Sequence, residues 1–300
     1  MATYNQVTPE IIEELKKISG DRVVVGADVN PDYSRDEMPI YGTKMPDVSI
    51  DVLSTEEVSA IMKTCRGAGT GLVGACTPIA GGVVLCTMRM KQILEYDTDN
   101  FVVRVQPGVL LNDLAEDALK QGLLYPPDPG EKFATLGGNV STNAGGMRAV
   151  KYGATRDYVR AMTVVLPTGE IVKMGATVSK TSSGYSLLNL IIGSEGTLGI
   201  ITELTLKLIP APKQTVSLIC PFEDLATCIS TVPLFKKAHM DPQALEFFER
   251  EILISSEEYL GKAVFPRIRD GRVMLEDLKL TTWQIRDFNK IDIIACGSSY

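Results

Sequence analysis

Thr135-Leu-Gly-Gly-Asn-Val-Ser-Thr-Asn-Ala-Gly-Gly-Met-Arg-Ala-Val-Lys-Tyr-Gly153 is the stretch on which the reading of the chain turns. Five of its nineteen residues are glycine, against a usual share of about 7%. Asn139, Ser141, Thr142 and Asn143 interrupt them. Glycine lets main chain approach a flat or charged ligand where a Cβ would collide, and such a run leaves backbone N–H groups bare. The pattern predicts a loop lying against a bound cofactor, with a plain loop of turn residues as the competing reading.

Two other glycine-rich stretches flank it. The earlier one, Arg66-Gly-Ala-Gly-Thr-Gly-Leu-Val-Gly74, contains a formal G-x-G-x-x-G at Gly69, Gly71 and Gly74. A dinucleotide fingerprint of that kind must follow a strand and open a helix. Here a helix is expected before it, and Pro78, Gly81 and Gly82 separate it from a strand expected at Val83–Cys86. It reads instead as a loop between helix and strand whose successive N–H groups form an anion nest, or else as a tight structural turn. In the later one, Leu190-Ile-Ile-Gly-Ser-Glu-Gly-Thr-Leu-Gly-Ile-Ile-Thr202, Gly193, Gly196 and Gly199 bracket Glu195 ahead of a strand running to Leu208. That spacing suggests backbone wrapped closely round something, and Glu195 reads either as a ligand for hydroxyls or as a solvated loop acid.

Composition points to small-molecule chemistry. With 45% hydrophobic and 22% charged residues, a net charge of −7 and a pI near 5.0, the chain is globular and offers no basic field for nucleic acid or anionic membrane. Its 300 residues suggest two domains. No apolar run reaches the roughly eighteen residues of a membrane helix. Met1-Ala-Thr-Tyr-Asn-Gln6 lacks the basic and apolar parts of a signal peptide, which predicts a cytoplasmic protein with no membrane segment. Six cysteines, at 65, 76, 86, 220, 228 and 296, make no Cys-x-x-Cys and read as buried thiols. A single histidine, His239, argues against a multi-histidine metal site or a histidine-centred triad, and no metal is expected.

Thr8-Pro9-Glu10 reads as N-cap, proline at the first helical position and early acid, followed by Ile11, Ile12, Leu15 and Ile18 at helical spacing and stopped by Gly20. Residues 22–25 form a short β-branched strand, and Ser54-Thr-Glu-Glu57 opens a second helix with a capping-box pattern. A strand over 101–105 and a helix from Leu110 to Gly122 come next. Three prolines in Tyr125-Pro-Pro-Asp-Pro-Gly130 forbid regular structure there. Residues 161–166 and 171–174 flank a Pro167-Thr-Gly169 turn as a hairpin. Pro210 and Pro212 mark a domain boundary, beyond which a strand at 215–219, a helix at 222–237 and a strand at 244–248 begin a new α/β unit.

At these blocks the chain resembles the flavoenzymes of the vanillyl-alcohol-oxidase type, and among them the FAD-linked D-lactate dehydrogenase and glycolate oxidase subunit group. The likeness rests on the two glycine stretches at 66–74 and 193–201, on Tyr125-Pro-Pro-Asp-Pro129, on Gly137–Gly146 and on Ala149-Val-Lys-Tyr-Gly153, in unbroken order over residues 1 to about 266. The resemblance implies an α+β chain: a two-subdomain PCMH-type FAD-binding fold over 1–212, with subdomains of about 1–100 and 101–212, and an incomplete α/β cap domain over 213–266. It implies FAD, held non-covalently because the first glycine stretch has no histidine. Carried over position by position, Arg66, Gly67, Gly69, Thr70, Gly71 and Leu72 would hold the pyrophosphate. Pro127, Gly137, Gly138, Ser141, Thr142, Asn143 and Gly145 would line the pyrophosphate, ribityl and flavin, and Gly196, Gly199, Ile200 and Ile201 would lie along the cofactor.

The reaction implied is oxidation of a small 2-hydroxy acid, D-lactate or glycolate: a base takes the hydroxyl proton as hydride leaves the α-carbon for flavin N5, and an electron-transfer flavoprotein is the expected acceptor. Such chemistry needs cationic groups for the carboxylate and a tuned base. The family draws its base largely from a histidine-containing cap motif that is not found here, so no catalytic residue is assigned. His239, in Lys236-Lys-Ala-His-Met240, reads as a surface or dipole-facing histidine at a helix end. Residues 267–300, with Lys290-Ile-Asp-Ile-Ile-Ala-Cys-Gly-Ser-Ser-Tyr300, resemble the entrance to the sugar isomerase domain of glutamine:fructose-6-phosphate aminotransferase, where Ser298 and Ser299 would meet a sugar phosphate. The expectation is therefore a chimeric chain, with a catalytically incomplete FAD-binding fragment as the alternative to a working dehydrogenase.

Overall fold

The computed structural model describes residues 6–35, 42–62, 65–67, 77–180, 182–222, 224–249, 252, 255, 259, 268–269, 272–273 and 291–297. In chain order its elements are α1 (Pro9–Ser19), β1 (Val23–Val25), β2 (Val48–Asp51), α2 (Thr55–Ile61), β3 (Cys65–Gly67), β4 (Val83–Cys86), β5 (Ile93–Asp97), β6 (Val102–Val105), α3 (Leu111–Lys120) and β7 (Leu123–Leu124). Next come α4 (Leu136–Thr142), α5 (Ala149–Tyr152), β8 (Val159–Val165), β9 (Ile171–Gly175), α6 (Leu187–Ile191), β10 (Ile200–Lys207) and β11 (Ile209–Pro210). The last are β12 (Val216–Phe222), α7 (Leu225–Lys237), β13 (Ala244–Glu249), β14 (Ile268–Arg269), β15 (Arg272–Val273) and β16 (Ile291–Gly297). The mixture is α+β, as expected.

Two compact units emerge. The first takes in Met1–Tyr125, Glu131–Ala144 and Ala154–Ile209. Its larger sheets are a four-stranded one in the order β1-β2-β4-β3 and a five-stranded antiparallel one in the order β5-β6-β10-β8-β9. In the smaller sheet β2 and β3 both run parallel to β4, whereas β1 is antiparallel to β2. Residues 68–82 join β3 to β4, a crossover long enough for a parallel pair. The core below this sheet packs Leu15 of α1, Val58 and Ile61 of α2 and Ile50 and Leu85 of the strands together with Val165 and Ile200 of the larger sheet.

The sequence reading of these elements meets the structure closely. In α1 the Thr8 hydroxyl accepts from Ile11 N, Pro9 opens the helix and Gly20 ends it at φ 59. Ser54 caps α2 by accepting from Glu57 N at 3.1 Å. The return bond of the capping box goes one residue further out, with Leu53 N donating to Glu57 Oε2 at 2.8 Å. Glu57 Oε1 in turn accepts from Ser19 Oγ at 2.5 Å and pairs with Arg22 Nη1 at 2.6 Å, which ties α2 to the end of α1. One expectation fails here. A short strand, β3, follows α2 and takes in the first two residues of the glycine stretch, because Cys65–Gly67 finds a ladder partner in β4 that no local pattern reveals. The strand required before a dinucleotide fingerprint is therefore present. Residues 68–76, the body of the stretch, lie outside the described residues; from Thr77 the chain makes a turn at 79–80 and enters β4.

The second unit takes in Pro126–Gly130, Gly145–Gly153 and Pro210–Tyr300. Its three-stranded sheet is wholly parallel, in the order β12-β16-β13, with α7 crossing from β12 to β13, and β14 and β15 form a separate antiparallel pair. Tyr125–Gly130 is irregular, as its prolines require. The central stretch, by contrast, is not a single loop: residues 136–142 and 149–152 are helical, and its two halves belong to different units.

The Glu57 cluster yields a stability prediction. Glu57 is 9% exposed and serves a helix cap, a serine and an arginine at once. Glu57→Ala should cost about 2–3 kcal/mol in urea denaturation, the sum of a lost cap and a stranded, partly buried guanidinium. A loss below about 0.5 kcal/mol would place the carboxylate among ordinary surface charges.

Candidate functional site

α4 sits at the centre of the site. Thr135 caps it, its hydroxyl accepting from Gly138 N at 3.2 Å. Leu136 N donates to Val109 O at 2.9 Å and Gly137 N to Pro107 O at 2.8 Å. The sequence predicts bare amides here, and the structure corrects that: the first-turn N–H groups are taken by a threonine cap and by the chain leaving β6. The glycines and polar residues form a helix because capping and these neighbours satisfy its entry, overriding weak intrinsic propensity.

The other end of α4 brings two predicted blocks together. Carbonyls in a helix's last turn need outside partners. Val140 O accepts from Gly193 N at 3.1 Å, and Ser141 O accepts from Glu195 N at 2.8 Å. Ala144 O accepts both Thr155 N, at 3.2 Å, and Thr155 Oγ1, at 2.8 Å. Asn143 closes the helix in the left-handed region at φ 50, with its Oδ1 accepting from Arg156 N at 2.9 Å. On the facing turn, Gly193, Glu195 and Gly196 have φ of 80, 53 and 73, which is why glycine flanks the acid. Asn143 and Glu195 are two of the four described non-glycine residues with positive φ, and such residues gather where a site over-determines the backbone.

The glycines divide into two kinds. A Cβ on Gly137 would stand 2.6 Å from Pro107 Cβ, and one on Gly199 would stand 2.6 Å from Val164 Cγ1 and 2.8 Å from Val165 O. These two are demanded by the protein's own packing. A Cβ on Gly145 or Gly196 meets nothing within 4 Å, and one on Gly138 meets only the Thr135 hydroxyl, at 3.1 Å. Gly145 and Gly196 thus face open space, and at Gly138 only the capping hydroxyl stands in the way.

Unpaired buried groups sharpen the picture. In the first unit the buried side-chain atoms without a hydrogen-bond partner are, among the described residues, Thr77 Oγ1, Tyr125 OH and Asn139 Nδ2. They fall on three of the sequence blocks: Thr77 just after the first glycine stretch, Tyr125 at the head of the proline run, Asn139 in the middle of α4. Buried polar groups are nearly always satisfied, so each such exception calls for a partner. Burial pushes the Tyr125 phenol above its ordinary range, which keeps its proton in place. Nothing in the residue types distinguished Asn139 from its polar neighbours, and only its burial reveals it.

The structure places the remaining predicted residues one by one. Arg66 and Gly67 lie in β3, whereas Gly69, Thr70, Gly71 and Leu72 lie outside the described residues, as do Ser298 and Ser299. Ser141 and Asn143 are half-buried, Thr142 is exposed, and the Thr142 hydroxyl donates to Gly138 O at 3.0 Å. Ile200 and Ile201 are buried in the first residues of β10. Pro127 is buried and Gly145 exposed, both in the second unit. There Arg148 pairs with Asp128 at 3.2 Å, and a Cβ on Gly146 would overlap Asp128 O at 1.7 Å, so these pieces are packed tightly. His239 is exposed just past α7 at φ 58, its N–H donating to Lys236 O.

A family model described as an FAD binding domain matches residues 46–175. A D-lactate dehydrogenase of Anaerostipes hadrus is 65% identical over 277 residues, covering 89% of this chain and 58% of that protein. The glycolate oxidase subunit GlcD of Bacillus subtilis is 38% identical over 96% of this chain and 63% of its own length. An uncharacterised FAD-linked oxidoreductase of Mycobacterium tuberculosis is 36% identical over 94% of this chain and 67% of its own. The chain thus spans about three fifths of the length of the first two. Among solved structures, alkyldihydroxyacetonephosphate synthase shares the fold with a TM-score of 0.67 at 23% identity, over 81% of this chain and 48% of that one. No helix among the described residues is long and apolar enough to cross a membrane.

The two kinds of glycine can be told apart by stability. Gly137→Ala should cost about 1–3 kcal/mol, because Pro107 and its carbonyl cannot retreat easily. Gly145→Ala, in open space, should stay within about 0.5 kcal/mol of the parent. Urea midpoints of the two variants check this, and equal losses would contradict the division.

Proposed function

The chain belongs to the PCMH-type FAD-linked oxidoreductases, the family of its D-lactate dehydrogenase and glycolate oxidase relatives, and from that membership we propose that it oxidises a small 2-hydroxy acid with FAD as its cofactor. The observation that carries the substrate class is the 65% identity over 277 residues to a D-lactate dehydrogenase, which ranks D-lactate ahead of glycolate. When bound, FAD supplies the two-electron acceptor for the hydride leaving the substrate's α-carbon.

The residues present fit that group. Open space over Gly196 admits a flat ligand, and the unpartnered Thr77, Tyr125 and Asn139 atoms sit in or beside the sequence blocks expected to hold one. We assign Gly138, Ser141, Thr142, Asn143, Gly145 and Gly196, with Pro127, to line the cofactor. The Thr142 hydroxyl has already given its proton to Gly138 O, so toward a ribityl chain it serves as an acceptor. Gly137 and Gly199 shape the backbone from behind, and Ile200 and Ile201 extend along the cofactor as the start of β10. Arg66, Gly67, Gly69, Thr70, Gly71 and Leu72 are assigned to the pyrophosphate from the sequence. The first glycine stretch has no histidine, so FAD is held non-covalently. An electron-transfer flavoprotein is the acceptor we expect, in the cytoplasm.

The test is an absorbance spectrum of the purified chain mixed with FAD, desalted, then exposed to D-lactate without oxygen. The expected result is retained flavin bands that bleach with D-lactate. Retained bands that neither D-lactate nor glycolate bleaches would contradict the substrate class. Loss of all flavin on desalting would contradict the cofactor assignment.

A further inference from the structure

Asn139 stands apart from the polar residues around it. It lies in the middle of α4, 5% exposed, between Gly138 and Val140. Its backbone is fully engaged, with N–H donating to Thr135 O at 2.9 Å and O accepting from Ala144 N at 2.8 Å. Its side-chain Nδ2 has no partner. A carboxamide NH₂ is a strong double donor, and one left unmade in the interior destabilises the molecule that contains it. Ser141, Thr142 and Asn143, by contrast, reach solvent or have protein partners. Thr77 Oγ1 and Tyr125 OH are similarly unpartnered, but hydroxyls can rotate and also accept, so the amide has the narrower requirement.

We propose that Asn139 is a further cofactor-binding residue, whose Nδ2–H groups donate to acceptor oxygens or nitrogens of bound FAD. The inference rests on the reading of the chain as an FAD-linked enzyme. FAD carries acceptors along its whole length, in the pyrophosphate oxygens, the ribityl hydroxyls and the ring carbonyls and nitrogens. A buried donor with no protein acceptor is complementary to such a ligand. On the turn hydrogen-bonded to the end of α4, Gly196 faces open space that leaves room for it.

This arrangement has a thermodynamic signature that a structural asparagine lacks. If the amide is satisfied only by the cofactor, replacing it with an apolar side chain of similar shape removes a buried unsatisfied donor from the free protein and a hydrogen bond from the complex. Asn139→Leu should therefore bind FAD about tenfold or more weakly, the equivalent of one lost hydrogen bond. Its urea midpoint without FAD should be equal to or above that of the parent. Flavin fluorescence quenching measures the affinity, and denaturation of flavin-free protein measures the stability. FAD affinity within twofold of the parent would overturn the proposal. So would a fall in flavin-free stability, up to complete failure to fold, which would mean the amide is satisfied inside the protein. Failure of the parent itself to bind FAD would instead show in the unmodified arm, and would bring down the cofactor reading on which the proposal stands.

Discussion

A helix of seven residues cannot hold itself together in water, and α4 persists because both its ends are tied to the same sheet. Its entry is fastened by Gly137 N on Pro107 O, just past the end of β6, and its exit by Val140 O and Ser141 O on the amides of Gly193 and Glu195, just ahead of β10. β6 and β10 are neighbours in the five-stranded sheet. The ties make a closed circuit from strand to helix to turn to strand. Close approach is what the circuit requires, and it explains why Gly137 and Gly199 have no room for a side chain.

That circuit positions the chemistry. The backbone is strained into the left-handed region at Asn143 and Glu195, and the surrounding bonds hold it there. The open Gly196 and the unpartnered Nδ2 of Asn139 flank the same helix–turn junction. A site fixed by hydrogen bonds to a sheet can present donors to a ligand without ordering a loop at the moment of binding, which is the energetic use of preorganisation. The glycines thus answer to different physics: Gly137 and Gly199 yield to protein atoms, whereas Gly196 faces open space.

Much of this was legible in the sequence, and the failures are instructive. The caps of α1 and α2, the irregular proline run and the hairpin of β8 and β9 rest on local rules, and the structure follows them. The central and later glycine-rich stretches stand out in the sequence as special backbone, and their close approaches and positive φ values bear that out. Their secondary structure was not legible, because Thr135 to Thr142 reads locally as turn residues and becomes helical only through partners at Pro107, Val109, Gly193 and Glu195. Strand β3 escaped for the same reason, since its pairing with β4 is made across fifteen intervening residues. Asn139 could not be told from Ser141 or Asn143 by type, as burial is a property of the folded chain.

The most direct test of the account is amide hydrogen exchange of the purified chain with and without FAD, read segment by segment. The account predicts that FAD raises protection in the segments spanning 137–145 and 193–201, the two sides of the α4 junction, above that of strands remote from it. FAD binding that leaves both segments unchanged would contradict the claim that this junction is the cofactor's seat.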